Sequence, residues 1–359
     1  MQRDQLARPP RALLIGYGLQ LPSFRHRMQC LVDELAAAGW QVRTEQLPSR
    51  RYGIRTWERR SLLRWADVSV LHQIKLGTPE AQLFAHYSAR RVFDVDDAIY
   101  VRKPRRLGEP PDESIWRRRK FDSTCRLAQV VVVGNEVLAA VARRSNPHVE
   151  ILPTSVDVTS YQPSTQTPEG PIRVVWIGSP ENLVYLELLH AALARLARRF
   201  PTLTLRVICS AFPDWSDVAI ERVQWSAAGE GAALAGAHIG IMPLTDDEWA
   251  RGKCAFKLLQ YMAAGLPCVA SPIGANAEAV IDGRTGFHAR DDLQWEAALQ
   301  RLIESVEMRR QMGAAGRAHV EQRYSSVVYR NRYRALFERL VFRPDSSPRL
   351  RGGGIQNAT

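Results

Sequence analysis

The stretch WARGKCAFKLLQYMAAGLPCVASPIGANAEAVIDGRTGFHA, residues Trp249–Ala289, decides how we interpret the rest of the chain. Its apolar side chains repeat at helical intervals and predict a helix over 254–264. We expect Gly265 to end this helix in the left-handed conformation, which costs glycine least, and Pro267 to prevent it from restarting. The stretch therefore predicts one sharply ended helix with an apolar body.

Polar residues follow one side of the same helix. Lys253, Lys257 and Gln260 are spaced at i, i+4 and i+7, which predicts one polar stripe. A short apolar strand over 268–271 and a glycine-containing loop over 272–276 come next. Cations near a helix N-terminus beside such a loop suit a diphosphate. The alternative interpretation is a surface helix with solvated lysines.

Length and composition set broad limits. The 359 residues are enough for two domains, and 45% apolar with 24% charged residues is typical of a soluble globular protein. We expect no signal peptide, and no apolar run approaches the ~20 residues that cross a bilayer. The five cysteines are scattered and odd in number, so we expect reduced thiols in a cytoplasmic protein, neither disulfides nor metal ligands.

Positive charge is concentrated in the first half of the chain. The formal net charge is +12, and basic clusters lie around residues 50–60, 102–106 and 117–120. One interpretation is a general bias toward arginine on solvated faces. The others are an anionic membrane surface, a phosphorylated acceptor or nucleic acid. Nucleic acid is least favoured because no recognised binding module accompanies the charge.

Strand and helix patterns alternate along both halves. The predicted strands cover 11–15, 42–46, 68–72, 91–95, 129–133 and 149–152, and then 172–177, 203–209, 223–226, 239–243 and 268–271. Helical segments between most of them indicate βαβ units and mostly parallel sheets. Residues 158–171, rich in Pro, Ser and Thr, predict a linker.

This alternation predicts an α/β chain with two Rossmann-like, doubly wound domains. The first covers residues 1–160 and the second 171–325, followed by a helix over 326–342 and a disordered tail over 343–359. Parallel sheets of this kind bind ligands at the carboxyl ends of their strands. We therefore expect an interdomain cleft at those ends.

The Trp249–Ala289 stretch resembles the donor-binding segment of the GT-B glycosyltransferases of family 4, the "group 1" transferases. The family has a helix of the type LLEAMAxGxPVVAS, a glycine-rich loop and then E-V-x-D-G-x-T-G. This chain has LLQYMAAGLPCVAS, the glycine-containing loop over 272–276 and then EAVIDGRTG. The pieces DVDD and GKCAFK are similar to those of a subgroup of the family. The resemblance is specific over this stretch and looser elsewhere.

The resemblance implies a GT-B architecture. In such a protein the second domain binds a nucleotide-diphosphate sugar, and the first holds a glycan, lipid-linked or small-molecule acceptor. The last helix packs back across both domains. The resemblance also implies transfer with retention of configuration, with no metal and no cofactor. With the basic first half, it is compatible with peripheral contact with the anionic inner membrane surface.

The first departure from the family concerns diphosphate contacts. Gly178 and Ser179 end the first strand of the second domain, where this fold brings backbone to phosphate; the alternative is an ordinary turn. In the resembled family an arginine and a lysine usually follow, but here the sequence reads SPENLVYL. We infer that Lys253 and Lys257 neutralise the leaving diphosphate instead.

The second departure concerns the family's E-x7-E pair, whose positions are Gly252 and Gln260 here. Gln260 can accept from ribose hydroxyls, although more weakly than a carboxylate. The loss at Gly252 removes a usual donor contact and indicates a subgroup that holds its donor differently. Asn276 and Glu278 match the family's loop and are predicted to hold donor hydroxyls. Their alternative roles are a helix N-cap and a first-turn acid.

Three carboxylates follow an apolar strand in the first half: Asp94, Asp96 and Asp97. Crowded carboxylates at a sheet edge repel one another, which costs free energy unless cations or substrate groups offset it, so such a cluster favours a functional role. We predict that Asp96 or Asp97 orients the acceptor hydroxyl or acts as its base. The alternatives are an N-cap cluster and the metal-binding D-x-D of GT-A transferases, Asp94–Asp96, which a second α/β half disfavours.

Residues near the N-terminus are predicted to contact a phosphate or the acceptor: Gly16, Gly18, Arg25 and Arg27. Ser23 is predicted to cap the first helix, and a solvated helix start is the alternative for this segment. His72 ends a strand, where a lone histidine is more often a packing residue than a ligand.

Two other functions stay open. An epimerase or dehydrogenase is disfavoured because Gly16-Tyr17-Gly18 lacks the full G-x-G-x-x-G with an acid about twenty residues later. A non-catalytic relative that binds a nucleotide sugar remains open because of the missing glutamates. Donor hydrolysis without acceptor would separate an enzyme from a binder.

Overall fold

The computed structural model describes residues 8–47, 52–104, 106, 108–109, 114–163 and 171–342, without the side chains of 52–54. The predicted tail over 343–359, residues 164–170 of the predicted linker and the first members of the basic cluster at 50–60 lie outside the described residues.

The first domain is built on a six-stranded sheet in the order β2-β1-β3-β4-β5-β6, and every pairing in it is parallel. Its strands are β1 (Arg11–Gly16), β2 (Gln41–Gln46), β3 (Val68–His72), β4 (Arg91–Val95), β5 (Val130–Val133) and β6 (Val149–Ile151). β3, β4 and β5 are buried almost throughout, because both faces of a parallel sheet are covered by helices.

The second domain repeats this plan with a parallel sheet in the order β12-β11-β10-β7-β8-β9. Its strands are β7 (Ile172–Ile177), β8 (Leu203–Cys209), β9 (Ile220–Gln224), β10 (Ile239–Met242), β11 (Cys268–Ala270) and β12 (Gly286–His288). Two separate parallel sheets are what the repeated alternation predicted, and each sheet has a hydrophobic cluster on both of its faces.

Helices cover both sheets. Those of the first domain are α1 (Pro22–Arg27), α2 (Val32–Ala37), α3 (Tyr52–Glu58), α4 (Arg60–Trp65), α5 (Thr78–Tyr87), α6 (Ile115–Leu127) and α7 (Glu136–Arg143). Those of the second are α8 (Leu183–Leu186), α9 (His190–Arg199), α10 (Glu230–Leu234), α11 (Glu248–Arg251), α12 (Phe256–Ala263), α13 (Asn276–Ala279), α14 (Asp292–Glu304) and α15 (Val306–Arg323). The final helix is α16 (Ser326–Phe342).

Helix α16 follows the second domain in sequence but packs on the first. Its buried side chains, including Tyr333 and Phe337, join the core formed by β1, β3 and the first helices. Tyr329 donates a hydrogen bond to the backbone oxygen of Arg27, 3.0 Å away. This helix therefore ties the end of the chain to the first domain.

A second contact between the domains involves the stretch Trp249–Ala289. The side-chain amide of Asn135 donates to the backbone oxygens of Gly252 and Lys253, at 3.1 and 2.9 Å. Its oxygen also accepts from Leu138 and so caps α7. The loop before α12 is thus held by a residue of the first domain.

Several predicted elements need correction. The helix predicted over 254–264 begins at Phe256, because Ala255 adopts a left-handed φ of 55° that helices do not continue through. Lys253 therefore lies in the preceding loop and not on a helical stripe. Gly265 does take the left-handed φ, 68°, that was predicted for it. The helical segment expected between the strands over 172–177 and 203–209 is divided into α8 and α9 by a 3-10 turn at Glu187–Leu189.

Candidate functional site

An open cleft of about 620 Å³ lies between the domains, at the carboxyl ends of strands from both sheets. Asp96 and Asp97, just after β4, line it from the first domain. Residues 177–180, at the end of β7, line it from the second. The cleft therefore occupies the sheet edge at which doubly wound domains hold their ligands.

Two lysines of the second domain line this cleft. Lys253, half-buried, has its Nζ 5.7 Å from the ring centroid of Tyr185 and 5.8 Å from that of Trp249. Lys257 is half-buried in the first turn of α12. Burial, and next the ammonium of Lys253, lowers the pKa of Lys257 to about 8. Cations crowded in this way favour an anion between them.

Asp97 faces these lysines across the cleft. Burial raises the pKa of its carboxyl to about 6; Lys253 acts against this shift, and the neighbouring Asp96 adds to it. A carboxyl whose pKa lies near neutrality is suited to accepting and returning a proton.

Asp96 is held by a residue that sequence reasoning missed. Gln73, which follows β3, has a left-handed φ of 60° and donates its side-chain amide to the carboxylate of Asp96. The thiol of Cys254 lies 3.0 Å from the backbone oxygen of Asp96 and donates to it. A strained residue beside a cleft is a recognised signal of function, but it is visible only in the backbone.

Asp94 belongs to a different environment. Arg27 donates to both its carboxylate oxygens, at 2.8 and 2.7 Å, and both residues are fully buried. His72 Nδ1 lies 2.7 Å from the same carboxylate, and Tyr333 donates to it at 3.0 Å. Although burial alone would raise it, the pKa of Asp94 is held well below its usual range, chiefly by Arg27.

This network corrects two predictions. The predicted contact of Arg27 with a phosphate does not fit, because its guanidinium also donates to the backbone oxygen of Leu152 and is sealed from the cleft. The D-x-D alternative does not fit either, because both oxygens of Asp94 are already bonded. Within the residues that the structure describes, no cluster of three or more His, Cys, Asp or Glu is arranged to hold a metal ion.

The turn after β7 lies at the cleft. Gly178 and Ser179 both line it. A Cβ at Gly178 would stand 2.3 Å from the indole of Trp176, so only glycine fits there. The hydroxyl of Ser179 accepts from the amide of Asn182 at 2.9 Å, and Asn182 in turn accepts from Lys103 of the first domain at 3.0 Å.

The positions of the family's glutamate pair differ in their surroundings. Gln260 lines the cleft, and its amide donates to the hydroxyl of Tyr161 at 2.9 Å. Gly252 packs against the first domain, and a Cβ there would stand 2.6 Å from that of Ala98. No larger side chain fits at Gly252 without moving one domain.

Two residues of the predicted donor loop lie outside the cleft lining. Asn276 is buried, and its amide donates to the backbone oxygen of Ser271 at 3.2 Å. It is the first residue of α13, whose N-cap is Ala275. Glu278 is exposed in the first turn of that helix. Their roles as donor contacts stay predictions.

The N-terminal segment contributes through neighbours of the predicted residues. Gly16 and Gly18 lie outside the lining, whereas Tyr17 between them lines the cleft. Arg25 lies outside it too, 3.6 Å from the carboxylate of Glu230. Ser23 does not cap α1, whose N-cap is Leu21 without a side-chain bond.

Glu230 and Trp225 form a part of the cleft that the sequence did not indicate. The indole of Trp225 donates to Glu230 at 3.0 Å, and both line the cleft. Burial raises the pKa of Glu230. No spacing or motif distinguishes either residue in the sequence.

Comparisons with known proteins support the resemblance. Residues 171–305 match the family described as "Glycosyl transferases group 1". A D-inositol 3-phosphate glycosyltransferase of Arthrobacter sp. (strain FB24) is 26% identical over an alignment of 221 residues, and the match covers 53% of this chain. The match spans about half of that relative, 51%.

Solved structures support the fold. Sucrose-phosphate synthase from Thermosynechococcus elongatus superposes with a TM-score of 0.72 at 16% identity, covering 93% of this chain and 99% of the other. Anabaena HepE, solved with UDP and glucose, gives 0.65 at 12% identity, with coverage of 92% and 99%. The predicted GT-B fold is confirmed. No described helix is long and apolar enough to cross a membrane.

Proposed function

Because its second domain matches the group 1 glycosyl transferases, we propose that this chain moves a sugar from a nucleotide-diphosphate sugar to an acceptor hydroxyl. The observation that carries the proposal is the pair Lys253 and Lys257 lining the same cleft as Asp97. Positive charge opposite a proton-accepting carboxylate is what a glycosyl transfer from a diphosphate needs.

The donor diphosphate is assigned to the second domain. Its phosphates would lie between Lys253 and Lys257 and the backbone of the turn at Gly178 and Ser179. Charge develops on the diphosphate as its bond to the anomeric carbon breaks, and nearby ammonium groups lower the barrier to that departure. Gln260 would contact the ribose. Because HepE was solved with UDP, UDP is the first donor nucleotide to test.

The acceptor is assigned to the first domain. Its hydroxyl oxygen would bond to the anomeric carbon while Asp97 accepts the hydroxyl proton. Asp96, held by Gln73, would keep the neighbouring carboxylate in place. Retention of configuration and independence from metal follow from the family resemblance. Retention requires the acceptor to approach from the face that the diphosphate leaves.

Closure of the cleft is the third part of the proposal. A donor that reacts with an alcohol also reacts with water, so the site must exclude water once both substrates are bound. Bonds already cross the cleft edge, from Asn135 to the loop at 252–253 and from Lys103 to Asn182. These contacts favour a closed arrangement of the domains.

The acceptor is proposed to be a glycan or a lipid-linked molecule at the anionic inner membrane surface, reached from the cytoplasm. The first turn of α6 exposes Ile115 and Trp116, at 66% and 71% of their surface. Arg119 lies 5.5 Å from the Trp116 ring centroid, and Arg117 is exposed beside it. Exposed tryptophan among arginines suits an anionic lipid interface.

Vesicle cosedimentation tests the membrane contact. We expect binding to phosphatidylglycerol vesicles and weaker binding to phosphatidylcholine, with most of the difference lost in the double variant Ile115→Ser, Trp116→Ser. Leu293→Ser, which removes another exposed apolar side chain from the second domain, is the control. Equal binding by the double variant and the unchanged protein would contradict the proposal.

A thermal-shift screen followed by a hydrolysis assay tests the transferase function. We expect UDP, GDP or ADP, or one of their sugars, to stabilise the fold. Release of free sugar without acceptor would show turnover. Stabilisation by NAD(H) instead would favour a dehydrogenase. Binding of a nucleotide sugar with no release or transfer would favour a non-catalytic relative.

A further inference from the structure

Lysine is rare in this chain, and its placement is uneven. Only five of the 49 Lys and Arg residues are lysines. Three of these line the cleft: Lys103, Lys253 and Lys257. Arginine and lysine differ in that lysine offers a compact ammonium with three donors on a flexible stem. A chain that otherwise uses arginine has its lysines concentrated where one small anionic group could be held.

Lys103 reaches the cleft from the first domain, in the chain that follows β4. It is half-buried, and its Nζ donates to the side-chain oxygen of Asn182 at 3.0 Å. Asn182 also donates to the hydroxyl of Ser179 at 2.9 Å. Lys103 is therefore bonded across the cleft to the turn that the proposed function assigns to the donor phosphates.

The partner of Lys103 is neutral, and its surroundings are cationic. Burial and the ammonium of Lys253 lower the pKa of Lys103 to about 8, while Glu181 and Asp97 act in the opposite direction. Lys257 experiences both of the other two ammonium groups. The carboxyl groups that act on these lysines are Asp97, Glu181 and Glu230, and burial raises the pKa of Asp97 and of Glu230, which reduces the negative charge that they bring. An anion between the lysines would relieve their repulsion.

We propose that Lys103 is a ligand of the donor diphosphate, contributed by the first domain, and that it exchanges Asn182 for a phosphate oxygen when the donor binds. The inference rests on the proposed function for the identity of the anion. One anion would then be held from both domains, so that donor binding itself draws the cleft closed. Lys103 would also supply, from the first domain, the cation that the segment after Ser179 lacks.

Calorimetric binding of inorganic pyrophosphate tests this assignment. We expect Lys103→Ala to weaken binding by about 10- to 100-fold, as for one charge-assisted bond, and Lys103→Gln to do the same. Lys75→Ala is the matched control, because Lys75 is half-buried in the same domain, also has its pKa lowered to about 8, and lies outside the cleft lining. Its affinity should equal that of the unchanged protein.

Asn182→Ala tests whether Lys103 binds phosphate or only holds the two domains together. If Lys103 holds phosphate, Asn182→Ala should retain or raise affinity, since the lysine loses only its neutral partner. If the bond serves only to tie the domains, Asn182→Ala and Lys103→Ala should weaken binding equally, which would overturn the inference.

The remaining outcomes distinguish this inference from the proposed function. Unchanged affinity in Lys103→Ala with a loss in Lys253→Ala would overturn the role of Lys103 and leave the diphosphate site standing. No binding of pyrophosphate or nucleoside diphosphate by the unchanged protein would overturn both. Melting curves show whether each variant is folded, and Lys103→Gln serves if Lys103→Ala is not.

Discussion

Asp94 and Asp97 lie three residues apart at the end of one strand, yet their surroundings are opposite. Asp94 is fully buried, and Arg27, His72 and Tyr333 occupy its carboxylate. Asp97 borders an open cleft and faces ammonium groups. The pKa of Asp94 is held well below its usual range, whereas burial raises that of Asp97 to about 6.

The difference shows how to tell a structural carboxylate from a working one. A buried charge whose hydrogen bonds are complete stabilises one conformation and has no capacity left for a ligand. A carboxylate with a raised pKa that faces ammonium groups across a cleft remains available for a ligand or a proton. The segment DVDD therefore contains a structural carboxylate, Asp94, and one that is available for chemistry, Asp97.

The largest effect is expected from Asp97→Asn. If Asp97 accepts the acceptor proton, its loss should slow transfer by about 10²- to 10⁴-fold, because amides are poor bases. Pyrophosphate affinity should change far less. Single-turnover transfer and calorimetry measure the two, and full turnover by the variant would reject the catalytic role.

The pH dependence of kcat/KM provides an independent check on Asp97. A base must be deprotonated, so activity should be lost as the pH falls through about 6. Below that pH, kcat/KM should drop about tenfold per unit. Asp97→Asn should lack this limb, and its persistence in the variant would assign it to another group.

The next largest effect is expected from Arg27→Ala. The change leaves the buried Asp94 without its main counter-ion and should lower the free energy of unfolding by about 3–5 kcal/mol. Urea unfolding measures it. Arg55→Ala, which removes an exposed arginine paired with Glu58, is the control and should change little. Pyrophosphate affinity of the folded Arg27→Ala variant should be retained, and a selective loss would place Arg27 in the ligand site.

A smaller effect is expected from Lys257→Ala. Removing one charge-assisted bond should weaken pyrophosphate binding by roughly 1–3 kcal/mol, without a matching loss of stability. Calorimetry with Lys75→Ala as control measures it. An unchanged affinity would remove Lys257 from the diphosphate site.

The smallest effect is expected from Tyr333→Phe. The change removes one of several bonds to Asp94 and should cost about 0.5–1.5 kcal/mol of unfolding free energy. Transfer activity should stay unchanged. If Tyr333→Phe lowered transfer activity more than it lowered the free energy of unfolding, the hydrogen bonds around Asp94 would be shown to influence the cleft.

Much of the fold was predictable from local pattern. The predicted strands over 68–72, 91–95, 172–177 and 203–209 match the observed ones, because buried β-branched runs that end in turn residues carry a strong local signal. β12 (Gly286–His288) was missed because Phe287 is its only large apolar residue, whereas the equally short β11 (Cys268–Ala270) is apolar throughout. The interruption at Glu187–Leu189 was missed because packing, and not composition, decides it.

The site was predictable only in part. The sequence led us to Lys253, Lys257 and Asp97, which line one cleft, because each lies in or beside a recognisable motif. Arg27 was misassigned because its partner, Asp94, is 67 residues away in the sequence. The positions of charged residues in the sequence do not indicate that these two are paired. Lys103 was hidden among the arginines that surround it in sequence. The roles of Arg27 and Lys103 both depend on contacts between residues that are far apart in the sequence.

The tight fit of Gly252 against Ala98 limits how this protein can be engineered. A Cβ at Gly252 would also stand 2.9 Å from the backbone nitrogen of Ala98. Introducing the glutamate that the family usually has there would push the domains apart and strain the bonds from Asn135 to the same loop. Replacing Gly252 by glutamate therefore requires changes around Ala98 in the first domain. A set of variants with substitutions in the second domain alone would not include a protein that accommodates this glutamate.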